Sequence, residues 1–376
     1  MTRLLIVDDS PLMRRLLTEI FEEAGDFEIE IARNAEEALA SLGRFMPDVI
    51  TLDIHMPGMD GLACLDRIMV ERPTPVVMLS SLTAAGADET LEALALGAVD
   101  FITKPRGAIS LEIEGIVSDL VEKVRGAASA RMSRSVRLTE RVRQRAQDAT
   151  VKGGRKPASA ERATKPGLVK PARAKRSNLD TEKLTGIEVV LVGISTGGPP
   201  ALDALLPSLP GDFPWPIVIA QHMPASFTGP LARRLDKACS LNVVEVSRPV
   251  PLEPGTIYIG RGDTDLIIAR RGGRAHVMAA PIQPERTWHP SADRLVESAR
   301  AVFPADAIVG LLMTGMGYDG ASSMAQLQRD GGHVLAQDKD SSVVWGMPGA
   351  LVAQQGADLV LPLDQLSAQL NLWARP

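Results

Sequence analysis

The sequence predicts two α/β domains, each built on a largely parallel sheet and joined by a basic linker. Three observations lead there. Short runs rich in Val, Ile and Leu alternate with helix-like stretches over residues 3–124 and again over 186–373. Between them, residues 125–185 lose any sustained apolar period and fill with Lys, Arg, Ala, Ser, Pro and Gly. The acidic, hydroxyl and histidine side chains that can carry chemistry fall just after strand-like runs, where α/β sheets place their ligands.

Composition narrows the class. A chain of 376 residues has room for two or three domains, and its 45% hydrophobic content supports cores that must be aliphatic, since only 3% is aromatic. No apolar run reaches the roughly 18 residues that span a bilayer, so no membrane insertion is expected. The first ten residues run straight into a strand, unlike a secretory signal. Cys64 and Cys239 lie in different domains, which excludes a disulfide framework and points to a reducing, cytoplasmic setting. The net charge of −5 hides a split: residues 127–185 hold 16 Lys and Arg against five Asp and Glu, a net +11, so the rest carries −16. Such a basic run is ordinarily a solvated tether, and it is expected to give no specific nucleic-acid binding.

In the first domain, strands are expected at Leu4–Val7, Phe27–Ala32, Asp48–Leu52, Pro75–Leu79 and Val99–Ile102. Helices are expected at Pro11–Ala24, Asn34–Leu42, Asp88–Leu96 and Ser110–Arg125. Such βα repeats imply a doubly wound, flavodoxin-like parallel sheet. Asp8 and Asp9 follow the first strand, Asp53 the third, Ser80 the fourth and Lys104 the fifth. Three carboxylates at one sheet edge repel unless a cation joins them, and an all-oxygen set suits Mg²⁺ that keeps several waters. A lysine and a hydroxyl beside them can receive the oxygens of an added phosphoryl group. Val7-Asp8-Asp9-Ser10, Asp53-Ile54-His55-Met56-Pro57-Gly58-Met59-Asp60-Gly61 and Lys104-Pro105 together resemble a two-component receiver domain. The resemblance implies that Asp53 is the phosphoacceptor and that Asp8, Asp9 and Asp53 hold Mg²⁺. It makes Ser80 the switch hydroxyl, Phe101 the switch aromatic and Lys104 the phosphate contact. His55 reads as a surface loop residue.

In the second domain, strands are expected at Glu188–Val192, Trp215–Ala220, Asn242–Val246, Thr256–Ile259, Leu266–Ala269, Ala275–Met278, Ala307–Leu312 and Gly332–Ala336. Helices are expected at Pro200–Leu206, Gly229–Ala238, Ser291–Val302, Gly320–Asp330 and Pro348–Gln354. The ends of the domain read as a second α/β sheet and its middle third as a strand-rich, antiparallel insertion. Gly193-Ile194-Ser195-Thr196-Gly197 fits a nucleophile-elbow pattern of strand, turn and helix, with helix N-terminal amides beside Ser195 for a developing oxyanion. A serine nucleophile needs a base and an acid that orients it. Of the five histidines, His222 follows a strand as Ser195 does, whereas His276 and His333 lie in strands and His289 in a proline-rich loop. Asp319 follows the strand ending at Leu312, in a glycine-dense turn. The order Ser, His, Asp differs from the Ser, Asp, His of α/β-hydrolases, so the elbow does not imply that fold.

The segments Gly193–Gly198, Gln221-His222-Met223-Pro224 and Thr314-Gly315-Met316-Gly317-Tyr318-Asp319-Gly320-Ala321 resemble the three motifs of the chemotaxis methylesterase family (CheB), which joins a receiver to a catalytic domain in this order. The resemblance implies hydrolysis of methylated glutamates on chemoreceptors, deamidation of receptor glutamines, phosphorylation by the chemotaxis histidine kinase, and no cofactor for the ester step. It makes Ser195 nucleophile, His222 base and Asp319 its orienter, with Thr196 and Met316 lining the oxyanion side. Two departures stand out. Trp288 and Asp265 occupy places where the family often has histidine, and Gly260-Arg261-Gly262 replaces an Ala-Pro-Gly. Two other readings bear on the second domain: a binding module without catalysis, and a hydrolase of small esters unrelated to receptors.

Overall fold

The structure is a computed structural model that describes residues 1–81, 83–104, 113–130, 180 and 183–375. Most of the linker lies outside the described residues, as do Pro105 and residues 110–112.

The first sheet has strands β1 (Thr2–Val7), β2 (Phe27–Ala32), β3 (Val49–Asp53), β4 (Val76–Ser80) and β5 (Asp100–Thr103), in the order β2-β1-β3-β4-β5. Every pair is parallel. Helices α1 (Pro11–Ala24), α2 (Ala35–Arg44), α3 (Gly61–Glu71), α4 (Ala84–Leu96) and α5 (Ile113–Ala128) cover it. Local chemistry starts them: Ser10, Asn34, Asp60 and Thr83 each cap a helix by accepting a backbone N–H through the side chain. Helix α3 is absent from the reading of the sequence. Its apolar period is present in Cys64, Leu65, Ile68 and Met69, but the turn-rich Pro57–Gly61 stretch before it masks the start.

The second domain is built on seven parallel strands: β6 (Val189–Ile194), β7 (Ile217–Gln221), β8 (Asn242–Val246), β10 (Thr256–Gly260), β13 (Ile308–Leu312), β14 (His333–Gln337) and β15 (Leu359–Leu361). They lie in the order β15-β14-β13-β6-β7-β10-β8. Strands β6, β7 and β13 are buried throughout, as expected for a sheet covered on both faces. The antiparallel part is smaller than the strand-rich middle suggested. Only β9 (Val250–Pro251), β11 (Asp265–Arg271) and β12 (Arg274–Ala280) form it, while β8 and β10 extend the parallel sheet.

Helices α6 (Gly198–Leu205), α7 (Ala225–Ala238), α8 (Ala292–Arg300), α9 (Ala321–Arg329), α10 (Met347–Ala353) and α11 (Leu363–Trp373) complete the domain. Helix α7 begins four residues before Gly229, because it carries Pro230 inside its second turn where a proline ordinarily argues against helix. Strand β15 and helix α11 were not identified from the sequence.

The two domains touch. Helix α4 packs against α6 and α7, and Arg234 on α7 donates to the Leu91 carbonyl at 2.7 Å. One apolar cluster runs from Leu91, Leu94 and Phe101 into Phe227 and Leu231.

Candidate active site and phosphoacceptor site

Three consecutive strands, β13, β6 and β7, deliver Asp319, Ser195 and His222 to the same edge of the second sheet. The chain turns away in opposite directions on the two sides of β6, which makes this edge a topological switch point. Ser195 follows β6 directly. Its N–H donates to the Thr314 carbonyl at 3.0 Å and its carbonyl accepts from Gln221 Nε2 at 3.1 Å. Gly315 lies against it so closely that an added Cβ would come within 2.7 Å of the serine Cβ. Those contacts fix the turn and leave the side chain half-buried.

His222 follows β7, and its N–H donates to the Ile194 carbonyl at 3.0 Å, which ties the base to the strand carrying Ser195. Its Nε2 lies 2.9 Å from Asp319 Oδ2. Its Nδ1 is buried and has no hydrogen-bond partner among the described residues. With the carboxylate accepting from Nε2–H, the lone pair sits on Nδ1, the atom left to take a proton.

Asp319 is itself anchored. Oδ1 accepts from Ser291 Oγ at 2.9 Å and from the Asp293 N–H at 3.1 Å, and Oδ2 accepts from the Ala292 N–H at 2.6 Å. These donors form the first turn of α8, whose positive end suits a carboxylate. Burial alone would raise the Asp319 pKa, but the hydrogen bond to His222, with those from the Ala292 and Asp293 amides, holds it below the usual range. Asp293 beside it is pushed up by burial and by the Asp319 charge, against bonds from Ser323.

Thr196 and Met316 lie at this edge, but their side chains face the first domain. Thr196 Oγ1 donates to Asp100 Oδ2 at 2.5 Å. The Met316 thioether packs on α5, where a Cβ at Gly126 would come within 2.4 Å of Sδ.

In the first domain Asp8, Asp9 and Asp53 present carboxylate oxygens within 4.8 Å of one another. Lys104 Nζ lies 2.7 Å from Asp53 Oδ2 and 2.9 Å from Asp8 Oδ2. The set fits a hard divalent cation: three converging carboxylates, two of them buried, with Asp9 open to solvent where waters could complete the shell. Burial raises the Asp53 pKa despite the opposing pull of Lys104, while the Lys104 pKa is raised because Asp53 and Asp8 outweigh its own burial. Ser80 Oγ points toward α4, accepting from Thr90 Oγ1 at 2.6 Å. Phe101 is buried, its ring 4.3 Å from that of Phe227 on α7. His55 is exposed and pairs with Glu89 at 3.3 Å.

Sequence reasoning missed the supporting residues. Ser291 was visible only as a helix start, and Asp100, Gly126 and Phe227 carry no motif. Their roles depend on how the two domains meet. Trp288 stood out only as a departure from a pattern, and the structure places its ring beside His222.

A family model described as CheB methylesterase matches residues 190–370, and one described as response regulator receiver domain matches residues 4–113. A protein-glutamate methylesterase/protein-glutamine glutaminase of Rhodospirillum rubrum is 54% identical over 373 residues, covering 99% of this chain and 96% of its own. The chain belongs to the CheB methylesterase family. A further CheB-type relative, a protein-glutamate methylesterase/protein-glutamine glutaminase of Rhodopseudomonas palustris, is 51% identical over 375 residues, covering 99% of this chain and 98% of its own. Both CheB matches span Ser195, His222 and Asp319 as well as the receiver carboxylates. Among the described residues, no helix is long and apolar enough to cross a membrane.

Proposed function

We propose that this CheB-family chain hydrolyses glutamate methyl esters on methyl-accepting chemoreceptors, and deamidates receptor glutamines, through Ser195, His222 and Asp319. The observation that carries the reading is the His222 Nε2 to Asp319 Oδ2 contact at 2.9 Å, with a buried, unpartnered Nδ1, on the strand beside Ser195.

The chemistry follows from those atoms. Ser195 Oγ attacks the ester carbonyl as His222 Nδ1 takes its proton. Asp319 stabilises the imidazolium, and amides of the turn before α6 receive the oxyanion. The C–O bond to the methoxy group breaks, and methanol leaves with the proton from Nδ1. Water then attacks the glutamyl-serine ester, giving one proton to His222. Collapse returns the His222 proton to Ser195 and releases the glutamic acid side chain, which gives up its remaining proton to solvent as the carboxylate. A glutamine side chain passes through the same steps with ammonia as the leaving group.

The domain assignment behind this reading is a receiver over 3–124, a tether over 125–185 and a catalytic domain over 186–373. Asp53 is the phosphoacceptor, with a histidine kinase of the chemosensory pathway as donor in the cytoplasm. Asp8, Asp9 and Asp53 would hold Mg²⁺, which would supply charge neutralisation for phosphoryl oxygens, and Lys104 would contact the transferred group. In the unphosphorylated chain the receiver covers the catalytic edge. Three contacts support that: Asp100 on Thr196 next to the nucleophile, α5 on Met316, and Phe101 against Phe227. A phosphoryl group at Asp53 adds about two negative charges beside Lys104 and Ser80. Ser80 and Phe101 rearrange, and the dock weakens.

A serine-directed fluorophosphonate separates this from a binding-only second domain: it should label the chain at Ser195 and leave Ser195→Ala unlabelled. Labelling that survives the substitution places the nucleophile elsewhere. Methanol release from methylated receptor, compared with a panel of small esters, separates a receptor enzyme from a general esterase. A preference for the panel would overturn the substrate assignment.

A further inference from the structure

His222 is tethered at a single ring atom. Nε2 meets Asp319 at 2.9 Å, whereas Nδ1 is buried without a hydrogen-bond partner among the described residues. A ring held at one nitrogen can swing about that bond, yet a base must keep its lone pair within reach of the serine hydroxyl. A second constraint is present. The Trp288 indole lies parallel to the imidazole, with ring centroids 5.8 Å apart and 4° between planes. Tyr318 meets Trp288 edge-on, centroids 5.2 Å apart at 87°. The backbone at Gly317, which has φ +72°, lies against the indole, where a Cβ would come within 2.5 Å of Cζ2.

The loop that carries Trp288 is pinned at both ends. Arg286 Nε donates to Gln283 Oε1 at 2.7 Å, and the Arg286 guanidinium pairs with Glu297 at 2.6 Å. On the other side Asp265, fully buried, lies 2.9 Å from His289 Nδ1, accepts the Ser291 N–H at 3.1 Å and pairs with Arg294. Asp265 therefore holds the segment that presents Trp288 to His222 and Ser291 to Asp319.

We propose that Trp288 is a positioning residue for the reaction: its indole face fixes the plane of His222 and favours the imidazolium formed when His222 takes the serine proton. The inference rests on the triad assigned under the proposed function. An aromatic face carries the negative part of its quadrupole, and a cation within about 6 Å of the ring centre is attracted to it. The neutral imidazole gains less from the same face, so the contact acts more strongly on the charged state than on the resting one.

The test uses the phosphorylated full-length chain and a methylated chemoreceptor cytoplasmic fragment, with kcat and KM for methanol release measured separately. Trp288→Ala should lower kcat about tenfold, the order expected of a partly desolvated cation–π contact, with KM within about twofold. Trp288→Phe, which keeps an aromatic face, should recover most of the loss. Trp288→Leu keeps apolar bulk without a ring face and should behave as Ala does, which covers the case of an Ala variant that fails to fold. A raised KM with unchanged kcat would make Trp288 a substrate wall and overturn the proposal. Leu as active as Phe, or no loss in any variant, would overturn it too. Ser195→Ala is measured alongside. If it retains activity, the triad assignment fails. If it is inactive while the Trp288 variants turn over normally, the role of Trp288 alone fails.

Discussion

At the scale of single residues, charge placement decides both sites. Asp53 has its pKa raised by burial, against the pull of Lys104. A carboxylate with a raised folded pKa costs stability when ionised, and the cost is present above the folded pKa and absent below the unfolded one. Asp53→Asn should therefore raise the melting temperature at neutral pH without Mg²⁺, and the gain should shrink as pH falls through the carboxylate range. Differential scanning calorimetry across pH checks this; a gain that grows toward low pH would contradict it. Asp319 behaves oppositely, since its partners hold its pKa down. Asp319→Asn should cost on the order of 10⁴ in esterase rate, as expected when the residue that sets the tautomer of a triad histidine loses its charge. An Asp319→Asn chain with a rate within about tenfold of wild type would remove Asp319 from the mechanism. Ser195, His222, Asp319 and the receiver carboxylates were legible in the sequence because each follows a strand-like run and sits in a short motif. The Asp319 donors Ser291, Ala292 and Asp293 were not, because their role depends on α8 pointing its first turn across the sheet.

At the scale of elements, parallel strands were the readable part. Continuous aliphatic runs such as Val189–Ile194 and Ile308–Leu312 are buried on both faces, so local sequence and tertiary position agree. Helix α3 and helix α7 were harder, since glycine and proline near their starts mimic turns. The element that matters most for control is β5 with its neighbour α5. Asp100 opens β5, accepts from Thr196 Oγ1 at 2.5 Å, and directly precedes Phe101. A hydrogen bond to a charged acceptor is worth about 1.5–3 kcal/mol. Asp100→Ala should therefore shift the docking equilibrium of the unphosphorylated chain roughly ten- to a hundredfold toward the open form. Its methanol-release rate should rise, while the phosphorylated chain, which the occlusion proposal takes to be undocked, should change little. Steady-state assays with and without a small phosphodonor check this, and an Asp100→Ala chain as slow as wild type before phosphorylation would show that the bond does not hold the dock.

At the scale of the whole molecule, a receiver and an esterase share one apolar seam, with α4 against α6 and α7, Asp100 of β5 on Thr196 and Gly126 of α5 on Met316. No motif in either domain announces this seam. It is made of residues such as Leu91, Gly126 and Phe227 that look like ordinary core or surface in sequence. A basic tether between the domains would let them part without separating, since linked partners meet at high effective concentration. The most direct test compares methanol release by three species: the intact unphosphorylated chain, the intact chain phosphorylated at Asp53, and a fragment beginning near residue 183. Occlusion predicts that the unphosphorylated chain is slowest, that the fragment exceeds it, and that phosphorylation brings the intact chain up to or beyond the fragment. A fragment no faster than the unphosphorylated intact chain would contradict occlusion and leave the receiver to act by recruiting or activating the esterase.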